Sequence, residues 1–135
     1  MARFSPYAAA LMICLPAAVA AQDQAEIEGV ISDQLGAFVA GDVPRAWTHA
    51  SPMIQSLFGS PENFARMVRE GYPMVWAPKR HDFLDLREEG GRLKQRVIVR
   101  DGRGAEFALD YDMIRTQSGW KINGVTFAPA PDPAV

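Results

Sequence analysis

The sequence predicts an α+β domain in which N-terminal helices pack on a curved, antiparallel four-stranded sheet. Up to Gly71, apolar residues recur every three or four positions, which is the spacing of one helix face. From about His81 the spacing changes to every second position, as in strands that turn one face to a core, and glycines separate the runs. Helices followed by hairpin-connected strands are typical of the α+β class.

The chain begins with the three-part layout of a secretory signal peptide, over residues 1–21. Arg3 supplies a positive charge, residues 8–18 form an apolar run, and small residues follow it. The run is about half of the roughly 20 residues that a membrane-spanning helix needs. We therefore expect cleavage after Ala20 or Ala21, and a periplasmic or secreted protein that is not attached to a membrane.

Removal of this segment leaves residues 22–128 as a single α+β domain and residues 129–135 as a proline-rich tail that we expect to be disordered. Cys14 is the one cysteine and lies inside the signal, where the bulky Ile13 before it argues against lipidation. The exported domain therefore has no cysteine for a disulfide or a metal site. The formal net charge is -2, with both signs interspersed, so we do not expect nucleic acid as a partner.

Start and end signals divide the first half of the domain into helices. An apolar stripe predicts a helix over 23–40, and Gly41 ends it. Three further helix starts combine a capping side chain with a proline, at Asp42 with Pro44, Ser51 with Pro52, and Ser60 with Pro61. Gly71 ends the last of these helices.

Residues 72–77 form an apolar segment that carries a proline at its second position and precedes another at Pro78. These prolines predict an extended connector and not a helix. Tyr72 and Trp76 are candidate contacts for a ligand or a protein partner, and the alternative is that the connector packs as a cover over the core. Trp47 is a further candidate contact, with a role as a core anchor as the alternative.

The second half of the domain predicts an antiparallel meander. Glycine-containing turns separate four runs of alternating residues, over 82–89, 92–101, 105–116 and 120–127. In the last run the alternation changes phase at Asn123-Gly124, which predicts a β-bulge there. The bulge would bend the sheet and let Trp120, Ile122, Val125 and Phe127 line one concave face.

The turn lengths set the register of these strands. With a two-residue turn at 90–91 and a three-residue turn at 102–104, one row holds Leu84, Val97 and Leu109, and the neighbouring row holds Asp85, Arg96 and Asp110. The first row belongs to an apolar inner face and the second to a solvated outer face of alternating charges. The outer face is also the candidate surface for a homodimer.

One polar pair falls on the inner face, because Gln95 lies opposite Tyr111 in this register. A buried amide and a buried phenol need hydrogen-bond partners. They either bond each other or the backbone in an ordinary core, or they orient a small apolar ligand at the open end of the cavity.

Two resemblances follow from these segments. The arrangement of helices and sheet, ending in Gly119-Trp120-Lys121-Ile122-Asn123-Gly124-Val125, resembles the cone-shaped nuclear transport factor 2-like fold of the ketosteroid isomerases and polyketide cyclases. More specifically, Ala50-Ser51-Pro52, Leu57-Phe58-Gly59, Pro61-Glu62-Asn63-Phe64, Met67-Val68-Arg69 and Gly71-Tyr72-Pro73-Met74-Val75-Trp76 resemble the bacterial family "domain of unknown function 4864" over about residues 24–128. The first resemblance implies a cavity, and the second implies no activity.

The sequence offers little for catalysis. His49 and His81 lie on different elements, so we expect no metal, and the phosphate-binding glycine loop and the serine elbow are absent. Asp110 and Asp112 are candidates for the carboxylate base that the isomerase resemblance implies, but the register places both on the outer face, where they stay ionised.

We therefore expect no catalytic residue and no cofactor. The sequence favours an exported domain that binds a small apolar ligand or a protein partner without catalysis, with a homodimer as a further expectation. Tyr111, Gln95, Tyr72, Trp76 and Trp47 are its candidate binding residues. The alternative is a small enzyme of the isomerase or dehydratase type that uses the same cavity.

Overall fold

The computed structural model describes residues 20–129 and has the α+β architecture that the sequence predicts. Five helices come first, α1 (Ala21–Val39), α2 (Val43–Thr48), α3 (Pro52–Phe58), α4 (Pro61–Gly71) and α5 (Pro73–Trp76). Four strands follow, β1 (Arg80–Glu89), β2 (Arg92–Arg100), β3 (Glu106–Thr116) and β4 (Gly119–Phe127). The predicted signal peptide up to residue 19 and the tail from residue 130 lie outside the described residues. None of the described helices is both long and apolar enough to cross a membrane.

The predicted helix starts are confirmed by their capping hydrogen bonds. The side chains of Asp42, Ser51 and Ser60 accept hydrogen bonds from the backbone N–H groups three residues ahead, each at 3.2 Å. Each bond satisfies one of the N–H groups that a helix start leaves free, which stabilises the start by about 1 kcal/mol. These caps fix where α2, α3 and α4 begin, and so fix their placement over the sheet.

The prediction of an extended connector over 72–77 is wrong, because α5 forms a single helical turn there. Pro73 occupies the first helical position, where the missing N–H removes no hydrogen bond. The turn brings Met74 and Val75 into the core, where each is at most 5 % exposed. The segment therefore packs as a cover over the core, which is one of the two alternatives from the sequence, but it does so as a helical turn.

The sheet is a meander with the strand order β1-β2-β3-β4. Between β2 and β3 the predicted register is confirmed, with Val97 opposite Leu109 and Arg96 opposite Asp110. Val97 and Leu109 are fully buried beneath the helices. The apolar face therefore points inward. The core joins α1, α4 and α5 to this face through Ile27, Ile31, Leu35, Val68, Met74, Val97, Val99, Leu109 and Met113.

The register predicted for β1 is correct from Leu86 to the hairpin and wrong from Phe83 to the start of the strand. Glu89 pairs with Arg92, which confirms the two-residue turn, but the register shifts between Phe83 and Leu86. Phe83 therefore lies opposite Val97, and Leu84 is 46 % exposed instead of belonging to the apolar row. A bulge inserts residues into one strand only, so alternation counted from the turn fails beyond it.

The predicted bulge in β4 is confirmed. Asp112 pairs with Gly124 and Met113 with Ile122, so Asn123 is the extra residue. Its side-chain oxygen accepts a hydrogen bond of 2.7 Å from the Ser51 hydroxyl. The backbone of Ile122 also bonds to both His49 and Ser51, at 2.8 and 2.9 Å. The bulge thereby ties the edge strand to the start of α3.

Phe127 does not line the concave face as predicted. It is 53 % exposed and stacks on Tyr72, with ring centroids 5.4 Å apart. Trp120 and Val125 are partly buried against the core, and Ile122 is buried. The concave face therefore ends at Val125.

The outer face carries the predicted charges, but Asp110 is only 8 % exposed instead of solvated. The Arg96 guanidinium donates to both of its oxygens, at 2.9 and 3.0 Å, and Arg87 donates a third bond at 3.3 Å. The hydrogen bond from Arg96 holds the pKa of Asp110 below its usual value, against the opposing effect of burial. Asp110 is therefore ionised, and its role in the fold is structural.

Candidate functional site

A cavity of about 200 Å³ lies between α3, α4 and the second half of β4, with α1 as its floor. Its walls are almost wholly apolar, and Gln34 and Tyr72 are the lining residues with polar side chains. The other lining residues include Phe38, Ile54, Leu57, Phe64, Val68 and Val125. Pockets with apolar walls and few polar groups are typical of sites for small organic molecules.

The position of α3 creates this cavity. α3 is seven residues long, begins at the Ser51 cap and ends at Gly59, whose φ of 83° reverses the chain in a conformation that glycine adopts without strain. No residue of α3 is fully buried, and Ile54 and Phe58 are only partly buried against the core, so the helix does not fill the space beneath it. Leu57, which lines the cavity, is 69 % exposed. The cavity therefore opens to the surface beside Leu57.

An aromatic cluster forms the opposite wall. Phe64 is its centre, with ring centroids 6.0 Å from Phe38, 6.2 Å from Phe58 and 5.5 Å from Trp47. Aromatic pairs at such distances are stabilising beyond the area they bury. This wall is held rigidly, because Phe38 and Phe64 belong to the core.

Trp47 and Trp76, two of the residues predicted to contact a ligand, lie behind this wall and do not line the cavity. Trp47 packs edge-on against Phe64, and the Trp76 ring lies 5.6 Å from that of Phe38. The structure places both tryptophans as supports for lining residues.

Tyr72 does line the cavity. Its hydroxyl donates a 2.8 Å hydrogen bond to the backbone carbonyl of Val125. This bond joins the end of α4 to the last strand across the cavity, so Tyr72 closes one end of it. The hydroxyl proton is engaged there, and the oxygen retains its capacity to accept.

Gln34 is a lining residue that the sequence-based candidates omit. It lies on α1 and is 3 % exposed, and its Nε2 donates a 3.1 Å hydrogen bond to the carbonyl of Ala46. Its position three residues after Ile31 and seven after Ile27 places it within the apolar stripe. A polar residue within an otherwise apolar helix face was the signal that would have identified it.

Gln95 and Tyr111 are brought together as predicted, facing each other on the inner side of the sheet, but neither lines the cavity. Both are fully buried. Gln95 Nε2 donates to the carbonyls of Leu84 and Arg96, at 2.9 and 3.0 Å. Within residues 20–129, Gln95 Oε1 and the Tyr111 hydroxyl have no partner. Burial raises the pKa of Tyr111, so its phenol is neutral.

The charged side chains that form ion pairs within the described residues lie away from the cavity. Asp33 accepts hydrogen bonds from Arg45 Nε at 2.9 Å and bonds His49 Nε2 at 2.6 Å. The bond from Arg45 lowers the pKa of Asp33, with His49 adding to the effect. This cluster ties α1 to α2, and its carboxylate is occupied by two partners, which suits a structural ion pair better than a catalytic base.

His81 likewise has a partner, the Ser32 hydroxyl at 2.9 Å. Both histidines are therefore hydrogen-bonded to other side chains. Over the part of the chain that the structure describes, no three metal-binding side chains form a group. No carboxylate, imidazole, guanidinium or ammonium group belongs to the cavity lining, and among the described residues Tyr72 is its one titratable side chain.

Comparison with known proteins gives one match. No curated protein and no solved structure matches the chain, so the likeness to the nuclear transport factor 2-like fold stays a prediction. The model of the family described as Domain of unknown function (DUF4864) matches residues 20–135. That range includes all five helices, all four strands and every residue of the cavity lining. The chain therefore belongs to the DUF4864 family.

Proposed function

We propose that this protein is an exported, non-enzymatic domain that binds a small apolar molecule in the cavity between α3, α4 and β4. The observation that carries the proposal is the cavity itself, about 200 Å³ with apolar walls and a mouth beside Leu57. An engineered apolar cavity of about 150 Å³ stays dry and binds benzene. The space is therefore suited to one aromatic ring with a small substituent.

Export rests on the signal-like first 21 residues. The family match begins at residue 20 and leaves the apolar run outside the domain. A periplasmic or secreted domain meets small molecules from outside the cell before they reach the cytoplasm, and this location is consistent with a binding role.

The alternative is catalysis of the isomerase or dehydratase type, which needs a carboxylate or another base inside the cavity. The lining provides no carboxylate or imidazole, and its Tyr72 hydroxyl donates to the Val125 carbonyl. Asp110 and Asp112 lie on the outer face, where Arg96 and Arg92 hold them at 2.9 and 2.6 Å. The composition of the cavity therefore favours binding over catalysis.

Titration of the purified protein with toluene, followed by calorimetry and by the melting temperature, tests the proposal. We expect saturable binding and a melting temperature that rises with toluene concentration, because a ligand of the folded state stabilises it by mass action. Ala50→Leu should abolish the binding, since Ala50 lines the cavity and the larger side chain fills it.

The same substitution at Ala46 is the matched control. Ala46 is fully buried but does not line the cavity, so Ala46→Leu should cost about 1–3 kcal/mol of stability by overpacking, whereas Ala50→Leu should cost less. Absence of saturable binding for both toluene and phenol would contradict the proposal. It would shift the interpretation to the second expectation from the sequence, a protein partner.

A further inference from the structure

The polar groups of the cavity define what kind of molecule it can take. Gln34 lines the cavity from α1 and is at least nine-tenths buried. The bond to the Ala46 carbonyl fixes the orientation of its amide, because only the N–H end can meet a carbonyl oxygen. This hydrogen bond therefore establishes which end of the Gln34 amide is the nitrogen and which is the oxygen, Oε1.

No residue between 20 and 129 donates a hydrogen bond to this oxygen, and it is not among the fully enclosed side-chain atoms that lack a partner, so it remains in contact with accessible space. A ligand that covers this oxygen without supplying a donor leaves a polar atom unsatisfied, which is unfavourable, so a ligand that donates a hydrogen bond to it should bind more tightly. The other polar lining side chain, Tyr72, gives its proton to the Val125 carbonyl and also retains only the capacity to accept. Both polar groups thus favour a ligand that carries a hydrogen-bond donor.

The charge of the ligand is restricted as well. The lining contains no cationic side chain to pair with a carboxylate and no anionic side chain to pair with an amine. Transfer of an unpaired ion from water into an apolar site is strongly unfavourable. Carboxylates, including fatty acids in their ionised form, are therefore excluded.

We infer that the ligand is a neutral, largely apolar molecule of the phenol or short-chain alcohol class, whose hydroxyl donates to Gln34 Oε1. The inference rests on the proposed function and adds the ligand class to it. A single ring or a short chain fills the space between the apolar walls, and its hydroxyl donates a hydrogen bond to the one side-chain amide oxygen in the lining.

Comparison of four compounds of similar size on the protein purified after export tests this inference by calorimetry. Phenol can donate, toluene cannot hydrogen-bond, anisole can accept but not donate, and benzoate is an anion. We expect the Kd of phenol to be about three- to tenfold lower than those of toluene and anisole, the gain typical of one hydrogen bond. Benzoate should not bind.

Variants then locate the acceptor. Gln34→Met should bind phenol no more tightly than toluene, and a cooperative thermal transition of the variant confirms that it is folded. Tyr72→Phe should keep the preference. Phenol bound no more tightly than anisole would overturn the inference and leave the proposed function intact. A preference that survives in Gln34→Met would overturn the role of Gln34, and failure of both toluene and phenol to bind would overturn the proposed function itself.

Discussion

The two tyrosines near the inner face have hydroxyl groups in opposite situations. Tyr72 donates to the Val125 carbonyl at 2.8 Å, so its hydroxyl contributes a hydrogen bond to the fold. The Tyr111 hydroxyl is fully buried and has no partner within the described residues. A buried polar group without a partner costs stability, so the two hydroxyls should contribute with opposite signs.

Substitution of each tyrosine by phenylalanine tests this difference. We expect Tyr72→Phe to lower the free energy of unfolding by about 1 kcal/mol, because the Val125 carbonyl loses its donor. Tyr111→Phe should leave it unchanged or raise it by about 1 kcal/mol. Urea unfolding of both variants measures the effect, and a loss of stability in Tyr111→Phe would indicate that its hydroxyl is bonded. The sequence also offers Tyr111 as a residue that orients a ligand. A lower ligand affinity of Tyr111→Phe would support that role, and an unchanged affinity would count against it.

At the scale of the strands, the sequence predicted one bulge and missed the other. The β4 bulge was predictable because four large apolar residues change phase around Asn123-Gly124. The β1 bulge at Leu84-Asp85 breaks no such pattern, since Leu84 is apolar whether or not it faces the core. The residue that indicates the β1 bulge lies on β2: it is the buried Gln95, whose side-chain amide donates a hydrogen bond to the Leu84 carbonyl. The buried glutamine thus compensates for the ladder bond that the bulge disrupts.

The outer face joins three strands through Asp110, which Arg96 and Arg87 hold in the ionised form. Asp110→Asn keeps the shape of the side chain but removes the charge, and we expect it to lower the free energy of unfolding by about 2 kcal/mol. Asp112→Asn is the matched control on the same strand. Its partner Arg92 is half exposed, so the cost should stay below about 1 kcal/mol.

The pH dependence follows from the lowered pKa of Asp110. Because folding depresses this pKa, the stabilisation is fully present above the unfolded value of about 3.9 and is lost as the pH falls below it. The wild type should therefore lose more stability between about pH 5 and pH 2 than Asp110→Asn does. Equal losses in the two proteins, measured by urea unfolding at each pH, would contradict the assignment.

At the scale of the whole molecule, the sequence predicted the layers but not the space between them. Periodicity and caps located α1 to α4 and the four strands but not α5, and the turn lengths set the β2 and β3 register. The cavity depends on how far α3 stands from the core, which caps and periodicity do not determine. For the same reason Tyr72 is the one predicted binding residue that lines it, whereas Trp47 and Trp76 support its wall and Gln34 was missed.

The boundary between signal and domain leads to a further prediction. α1 begins at Ala21, which is exposed, and its first fully buried residue is Ile27. Of the residues that the structure describes, cleavage after Ala20 or Ala21 therefore removes none on which the core depends. Expressed from its own first residue in a bacterium with two membranes, the protein should appear in the periplasm or medium with the mass of the chain from residue 21 or 22 onward.

Replacement of both Ala20 and Ala21 by arginine supplies the control. Signal peptidase accepts small side chains at the cleavage site, so the variant should keep the mass of the whole chain and remain with the membrane fraction. The folded domain should be unaffected, because both positions are exposed in the structure. A wild-type protein that stays in the cytoplasm at full mass would contradict export, and the ligand would then have to be sought among molecules inside the cell.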